Sequence, residues 1–118
     1  MAAPNLISFT TATGKAVYQL LTTSAANVLV NASSSNQVYK INSIVVANYT
    51  SGSITTTVTV LRSATNFYLA GAIVVPANSS LVILGKDTPI YLEEGDTIQG
   101  LASANSSAHI NISYELIQ

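Results

Sequence analysis

Apolar and polar residues alternate along most of this chain with a period of two, which is the period of a β-strand that buries one face. The clearest run spans residues 53–62. Ile54, Thr56, Val58 and Val60 share one face of this run, and three threonines occupy the other. The pattern therefore predicts a half-buried strand.

The same alternation predicts eight or nine strands, which follow one another at intervals of roughly ten residues. They span residues 16–22, 27–31, 38–49, 53–62, 67–75, 81–84, 90–92, 97–104 and 108–117. The alternation slips near Val45 and Val46, where we expect a β-bulge. Residues 1–12 are expected to form an arm or an edge strand.

Two short polar turns predict hairpins between consecutive strands. Residues 49–52, which include Gly52, join the strands 38–49 and 53–62. Residues 105–107 join the strands 97–104 and 108–117. In the last strand, the expected inward face consists of Ile110, Ile112, Tyr114 and Leu116.

These elements define the fold class that we expect. The chain has 118 residues and shows no internal repeat, linker or change of composition. We therefore predict an all-β protein: a single antiparallel β-sandwich, jelly-roll-like, in which residues 1–118 form one domain.

The polar surface of this sandwich is almost uncharged, which narrows the possible functions. Charged residues make up 8% of the chain, against roughly 25% in an ordinary soluble domain. Their place is taken by 15 Ser, 13 Thr and 10 Asn. Four basic residues argue against a nucleic-acid partner, which requires clustered Lys and Arg. No apolar run approaches the ~20 residues of a membrane helix, so we expect no membrane partner either.

Residues that carry chemistry are scarce, so we expect no enzyme. The chain has no Cys and one His, His109. No Gly-x-Ser-x-Gly motif accompanies His109, and we expect its imidazole to lie on the polar face of the last strand. We accordingly predict no catalytic residue and no cofactor.

Glu93, Glu94 and Asp96 form the one acidic cluster of the sequence. The cluster has three interpretations: a calcium site, a carboxylate pair for acid–base catalysis, or a solvated turn in which Gly95 reverses the chain. The calcium-binding EF-hand pattern is missing, which favours the turn, so we predict no metal and keep the three carboxylates as a calcium candidate.

Five residues are candidates for an interface with a partner. Val17, Leu21, Leu101 and Ile117 are apolar and are expected on faces opposite to the core. Arg62 ends a strand, where it either anchors an interface or protects a sheet edge from unwanted pairing.

Two residue types allow both a functional and a structural interpretation. The six Tyr all fall in or beside strands, where they serve either as core and interface residues or as platforms for sugar rings. Five N-x-S/T sequons, at Asn31, Asn48, Asn78, Asn105 and Asn111, follow from a composition rich in Asn, Ser and Thr.

The last 45 residues carry the most distinctive strings of the sequence: VVPANSSLVIL at 74–84, PIYLEEGDTI at 89–98, ASAN at 102–105 and ISYE at 112–115. On these strings the chain resembles small virion structural proteins of tailed bacteriophages, particularly those that infect cyanobacteria. The resemblance implies a building block of the phage particle, located on the capsid surface, at the neck or on the tail. It brings no catalytic residues.

We therefore predict a non-enzymatic virion protein, assembled in the host cytoplasm, that decorates or cements the capsid. Its expected partners are the major capsid protein, other virion proteins and its own copies, in a trimer or ring. The alternative is a tail or neck component, which could face a receptor. A second alternative, of a different class, is a carbohydrate-binding β-sandwich module.

Overall fold

The computed structural model describes residues 6–85 and 87–118, which form nine strands and no helix. The strands are β1 (Ala12–Leu20), β2 (Ala26–Val30), β3 (Val38–Asn48), β4 (Ile54–Arg62), β5 (Thr65–Val75), β6 (Ser79–Leu84), β7 (Ile90–Leu92), β8 (Thr97–Ala102) and β9 (Ala108–Ile117). Since these bounds lie close to the predicted ones over most of the chain, the alternation located the strands well. The described residues include no helix with the length and apolar character needed to span a membrane.

The strands form two antiparallel sheets that pack as a sandwich, which confirms the predicted fold class. Sheet A has the order β1-β9-β3-β6, with β7 also paired to β3, and sheet B has the order β2-β8-β4-β5. This is the order of a jelly roll. The chain forms an antiparallel ribbon of four strand pairs: β1 with β9, β2 with β8, β3 with β6, and β4 with β5. Successive pairs along the ribbon lie alternately in sheet A and sheet B.

Both predicted hairpins are wrong, because the strands they were expected to pair lie in different sheets. β3 belongs to sheet A and β4 to sheet B, and β8 and β9 are separated in the same way. The two short connections are therefore crossings between the sheets. They lie side by side, since the Tyr49 N–H donates to the Ser107 carbonyl. Only β4 and β5 form a tight hairpin among the described residues, through Ser63 and Ala64.

β6 and β7 are two pieces of one interrupted edge strand. β6 pairs with residues 44–48 of β3, and β7 pairs with residues 39–41 of the same strand. Residues 85–89 separate the two pieces and end in Pro89, which has no N–H to donate to a ladder. This edge of sheet A is thus broken in the middle.

The core lies between the sheets and follows the predicted inward faces. Ile54 and Val58 of β4 and Ile110 and Ile112 of β9 are all buried. The bulge expected near Val45 is confirmed by a shift of register in the β3–β6 pairing, between Ile44 and Val45.

The N-terminal segment differs from its prediction. β1 begins at Ala12, four residues before the predicted start, and residues 6–11 carry no strand. An arm or an edge strand was expected over residues 1–12, and residues 6–11 do not form an edge strand. Residues 1–5 lie outside the described part of the chain.

Candidate functional site

The outer face of sheet A carries two adjacent rows of side chains that are mostly apolar or aromatic. The rows, read across β1, β9, β3 and β6, are Tyr18, Asn111, Val45 and Val82, then Leu20, His109, Ala47 and Ser80. They point away from the core because their neighbours Ile110 and Ile112 are buried. Tyr18 is 72% exposed and Val82 60% exposed.

An aromatic pair extends the second row. The rings of Tyr49 and His109 stack with their centroids 4.7 Å apart. His109 thus lies on the outer face of the last strand, as expected. Four exposed side chains and the half-buried Val45 form what we call the apolar face of sheet A: Tyr18, Leu20, Val45, Tyr49 and Val82.

Three of the predicted interface residues are placed toward the interior instead, so their predicted exposure is wrong. Leu21 is fully buried in the core, Val17 packs partly against it, and Ile117 is 5% exposed. In β1 the predicted outward face is displaced by one residue, which exchanges the two faces of a strand. Tyr18 and Leu20 point outward, whereas Val17 pairs with the buried Ile112 and shares its inward face. Ile117 is followed by Gln118, whose backbone carbonyl accepts a hydrogen bond from the Thr11 N–H.

Leu101, the fourth apolar candidate, lies half-buried on the outer face of sheet B. It lines a shallow groove of about 160 Å³. The groove residues are Ala25, Thr57, Thr59, Asn66, Tyr68, Gln99, Gly100 and Leu101. None of these eight side chains is charged.

The register of sheet B aligns four side chains in one row, of which Gln99, Thr59 and Tyr68 line the groove. Asn27 of β2 lies opposite Gln99 of β8, Gln99 opposite Thr59 of β4, and Thr59 opposite Tyr68 of β5. The Gln99 Nε2 donates to Asn27 Oδ1 at 2.8 Å, and the Thr59 hydroxyl donates to Asn66 Oδ1 at 3.0 Å. The row therefore consists of neutral hydrogen-bonding groups that end in an exposed ring.

Arg62, the fifth candidate, is engaged within the chain. Its Nε donates to Asp96 Oδ1 at 2.8 Å, and its Nη2 donates to Glu93 Oε2 at 2.9 Å. The hydrogen bond and charge of Asp96 raise the pKa of Arg62 above its usual range. Because the Asp96 side chain is buried, this contact ties the end of β4 to the turn between β7 and β8. The Arg62 side chain as a whole remains about half exposed.

The three carboxylates of the calcium candidate do not converge on one point. Asp96 and Glu93 are bound to Arg62, while Glu94 accepts the Asn36 N–H at 2.9 Å from a different loop. Within residues 6–85 and 87–118, no three acidic or His side chains are grouped so as to hold a metal ion. The Asp96 carboxylate also accepts the Glu93 N–H, as in a polar turn.

An apolar cleft opens where the unpaired edges of the two sheets face each other. It has a volume of about 310 Å³ and is lined by Val60, Phe67, Leu69, Ile90 and Tyr91, together with Arg62. Phe67 and Tyr91 at its rim are exposed, and Val60, Leu69 and Ile90 continue into the core. The sandwich is therefore less closed on this side.

Two asparagines of the sequon pattern are structural residues that the sequence alone did not reveal. Asn31 is buried and donates through Nδ2 to the carbonyls of Gln37 and Leu92. Asn48 is buried and donates to the carbonyls of Gly52 and Val75. Their position at the ends of β2 and β3 is the only sequence signal for this role, since Asn commonly satisfies backbone groups where strands end.

Comparisons with known proteins show a distant similarity at the level of structure. No family model and no curated protein matches the chain. One solved structure, described with Bacillus endospore appendages that form a novel family of disulfide-linked pili, is similar over 89% of this chain and 85% of its own. The identity is 14% and the TM-score 0.41, a similarity that carries no functional argument.

Proposed function

We propose that this chain is a non-enzymatic structural protein of a bacteriophage particle, which decorates or cements the capsid by binding the major capsid protein and its own copies. The observation that carries the proposal is the apolar face of sheet A. Exposed Tyr18, Leu20, Tyr49 and Val82 on one side of a small sandwich form the kind of surface that a partner covers.

The composition of the surface supports the same proposal. Ser, Thr and Asn keep the exposed strands polar with few ions, and neutral hydroxyls and amides cost less free energy to bury than charged groups do. A surface of this kind stays in solution before assembly and loses little when a neighbour covers it.

The edges of the sheets offer a second mode of contact. β5 is an edge strand of 11 residues without a charged residue or a proline. Natural edge strands are normally protected by such residues, because unpaired N–H and C=O groups pair readily with another chain. In a particle, neighbouring subunits would cover both this edge and the adjacent apolar cleft.

Assembly assays with two matched valine variants test the proposal. Val82 lies on the apolar face of sheet A and is 60% exposed, while Val30 on β2 of the other sheet is 47% exposed. We expect Val82→Asp to reduce oligomerisation and binding to expanded capsids at least tenfold, since the carboxylate would be buried in the interface. Light scattering and capsid co-sedimentation measure both quantities, with Val30→Asp as the control for a charge at comparable exposure.

Two outcomes contradict the proposal. One is a wild-type protein that stays monomeric and does not bind capsids. The other is a Val82→Asp variant that assembles as well as the wild type. Antibody labelling of whole particles then distinguishes decoration, with copies over the entire head, from a neck or tail position, with label at one site.

A further inference from the structure

We propose that the outer face of sheet B binds a short neutral oligosaccharide, with Tyr68 as the ring on which a sugar stacks. The site is the row formed by Asn27, Gln99, Thr59 and Tyr68, together with its neighbour Leu101. This activity goes beyond the assembly role proposed above and lies on the opposite sheet.

The ring of Tyr68 is placed as a platform. It is 69% exposed at the end of the row, on an edge strand. A Cβ added at Gly71 would lie 3.3 Å from Tyr68 Cδ2, so the missing side chain at Gly71 leaves room for the ring. An exposed ring with an apolar face and a polar hydroxyl suits the C–H face of a sugar.

Three amide side chains in and beside the groove, those of Gln99, Asn27 and Asn66, supply both donors and acceptors for sugar hydroxyls. Gln99 and Asn27 use one amide atom each for their mutual bond, and Asn66 uses Oδ1 to accept from Thr59. In the described part of the chain, Gln99 Oε1, Asn27 Nδ2 and Asn66 Nδ2 have no hydrogen-bond partner. A sugar hydroxyl both donates and accepts, so it satisfies both types of group.

The length and the charge of the groove define the ligand class. Four neighbouring strands span about 14 Å, which exceeds one sugar ring and favours a short oligosaccharide. The absence of charge among the eight groove residues favours a neutral glycan over a sulfated or acidic one. The amide side chains of Asn66 and Gln99 distinguish this groove from the apolar face of sheet A.

Titration of the full chain with four neutral trisaccharides tests the proposal. The probes are maltotriose, cellotriose, mannotriose and triacetylchitotriose, measured by NMR up to millimolar concentrations. We expect at least one probe to shift the amide signals of Gln99, Asn27 and Leu101. We expect Tyr68→Ala to weaken its binding about tenfold or more, and Tyr68→Phe, which keeps the ring, to retain most of it.

Tyr18→Ala is the matched control, because Tyr18 is 72% exposed on the other sheet. Its binding is expected to equal that of the wild type. The proposal is overturned if none of the four probes binds, if binding survives Tyr68→Ala, or if Tyr18→Ala weakens it equally. If Tyr68→Ala does not fold, the wild-type shift map still locates the binding face, and shifts confined to sheet A would overturn the proposal. Failure here leaves the capsid assay unaffected, since that assay probes Val82 on sheet A.

Discussion

At the scale of single residues, a few buried polar side chains hold the crossings between the two sheets. Asn31 joins the end of β2 to Leu92 of β7, and Asn48 joins the end of β3 to Val75 of β5. These contacts connect strands of different sheets, and strands of different sheets share no ladder of backbone hydrogen bonds. Each asparagine side chain adds hydrogen bonds to the backbone pairing at a point where the chain leaves a sheet.

Arg62 and Asp96 perform a related task at the other end of β4. The pair fixes the polar turn after β7 with hydrogen bonds through two guanidinium nitrogens. The contribution of Glu93 is expected to be smaller than that of Asp96, because Glu93 is more exposed and solvent screens its charge.

Replacement of Asn31 by Ala is expected to lower the free energy of unfolding by about 3 kcal/mol. The buried carbonyl of Leu92 would lose the amide group that donates to it, and the Ser35 hydroxyl would lose the oxygen that accepts its hydrogen bond. Asn48→Ala is expected to cost a similar amount. Urea denaturation measures the change. Asn111→Ala is the control, because Asn111 is half-buried on an outer face, and its effect should stay within about 0.5 kcal/mol. Equal midpoints for all three variants would contradict the role assigned to the buried amides.

At the scale of elements, the strands are local features while their pairing is not. The connections after β3 and β8 are short and polar, like hairpin turns, yet both carry the chain from one sheet to the other. The tight β4–β5 hairpin has Ser63 at φ 52° and Ala64 at φ 64°, without the Asn-Gly sequence that such turns favour. Its turn is therefore strained, and neither Gly nor Asn marks it in the sequence.

Relief of this strain is expected to stabilise the protein. Ser63→Asn combined with Ala64→Gly should raise the free energy of unfolding by about 1 kcal/mol, because Asn and Gly adopt positive φ at lower cost than Ser and Ala. Thermal and urea unfolding measure the gain. Ala16→Gly, at an exposed position inside β1, should have the opposite sign, with a loss of about 0.5–1 kcal/mol. A loss in both variants would rule out strain at the turn.

At the scale of the whole molecule, the ribbon brings residues near the two ends of the sequence together and separates the two candidate surfaces. Thr11 and Gln118 exchange backbone hydrogen bonds at 2.8 and 2.9 Å, next to the β1–β9 pairing. The turn at Ser63 and Ala64 lies at the far tip of the ribbon. The apolar face of sheet A and the groove of sheet B point in opposite directions, so the two proposed contacts use separate surfaces.

This arrangement predicts that the chain tolerates circular permutation at the ribbon tip. A variant with Gln118 joined to Thr11 by a short Gly–Ser linker, and opened between Ser63 and Ala64, should fold with stability within about 2 kcal/mol of the parent. Circular dichroism and cooperative thermal unfolding provide the measurement. A control opened between Asn111 and Ile112 interrupts β9 between β1 and β3 and should not fold. If the control folds and the tip variant does not, the assigned strand order is wrong.

Alternation and composition are local properties of the chain, and they were enough to locate the strands, the inward faces of β4 and most of β9, and the low charge of the surface. Which strands share a sheet depends on contacts between distant residues, since the pairing of Ala12 with Ile117 spans nearly the whole sequence. The candidate surfaces depend on the same contacts. A one-residue error in the predicted register exchanges Val17 for Tyr18. The row from Asn27 to Tyr68 exists only because β2 and β8, which are distant in the sequence, lie beside the β4–β5 hairpin.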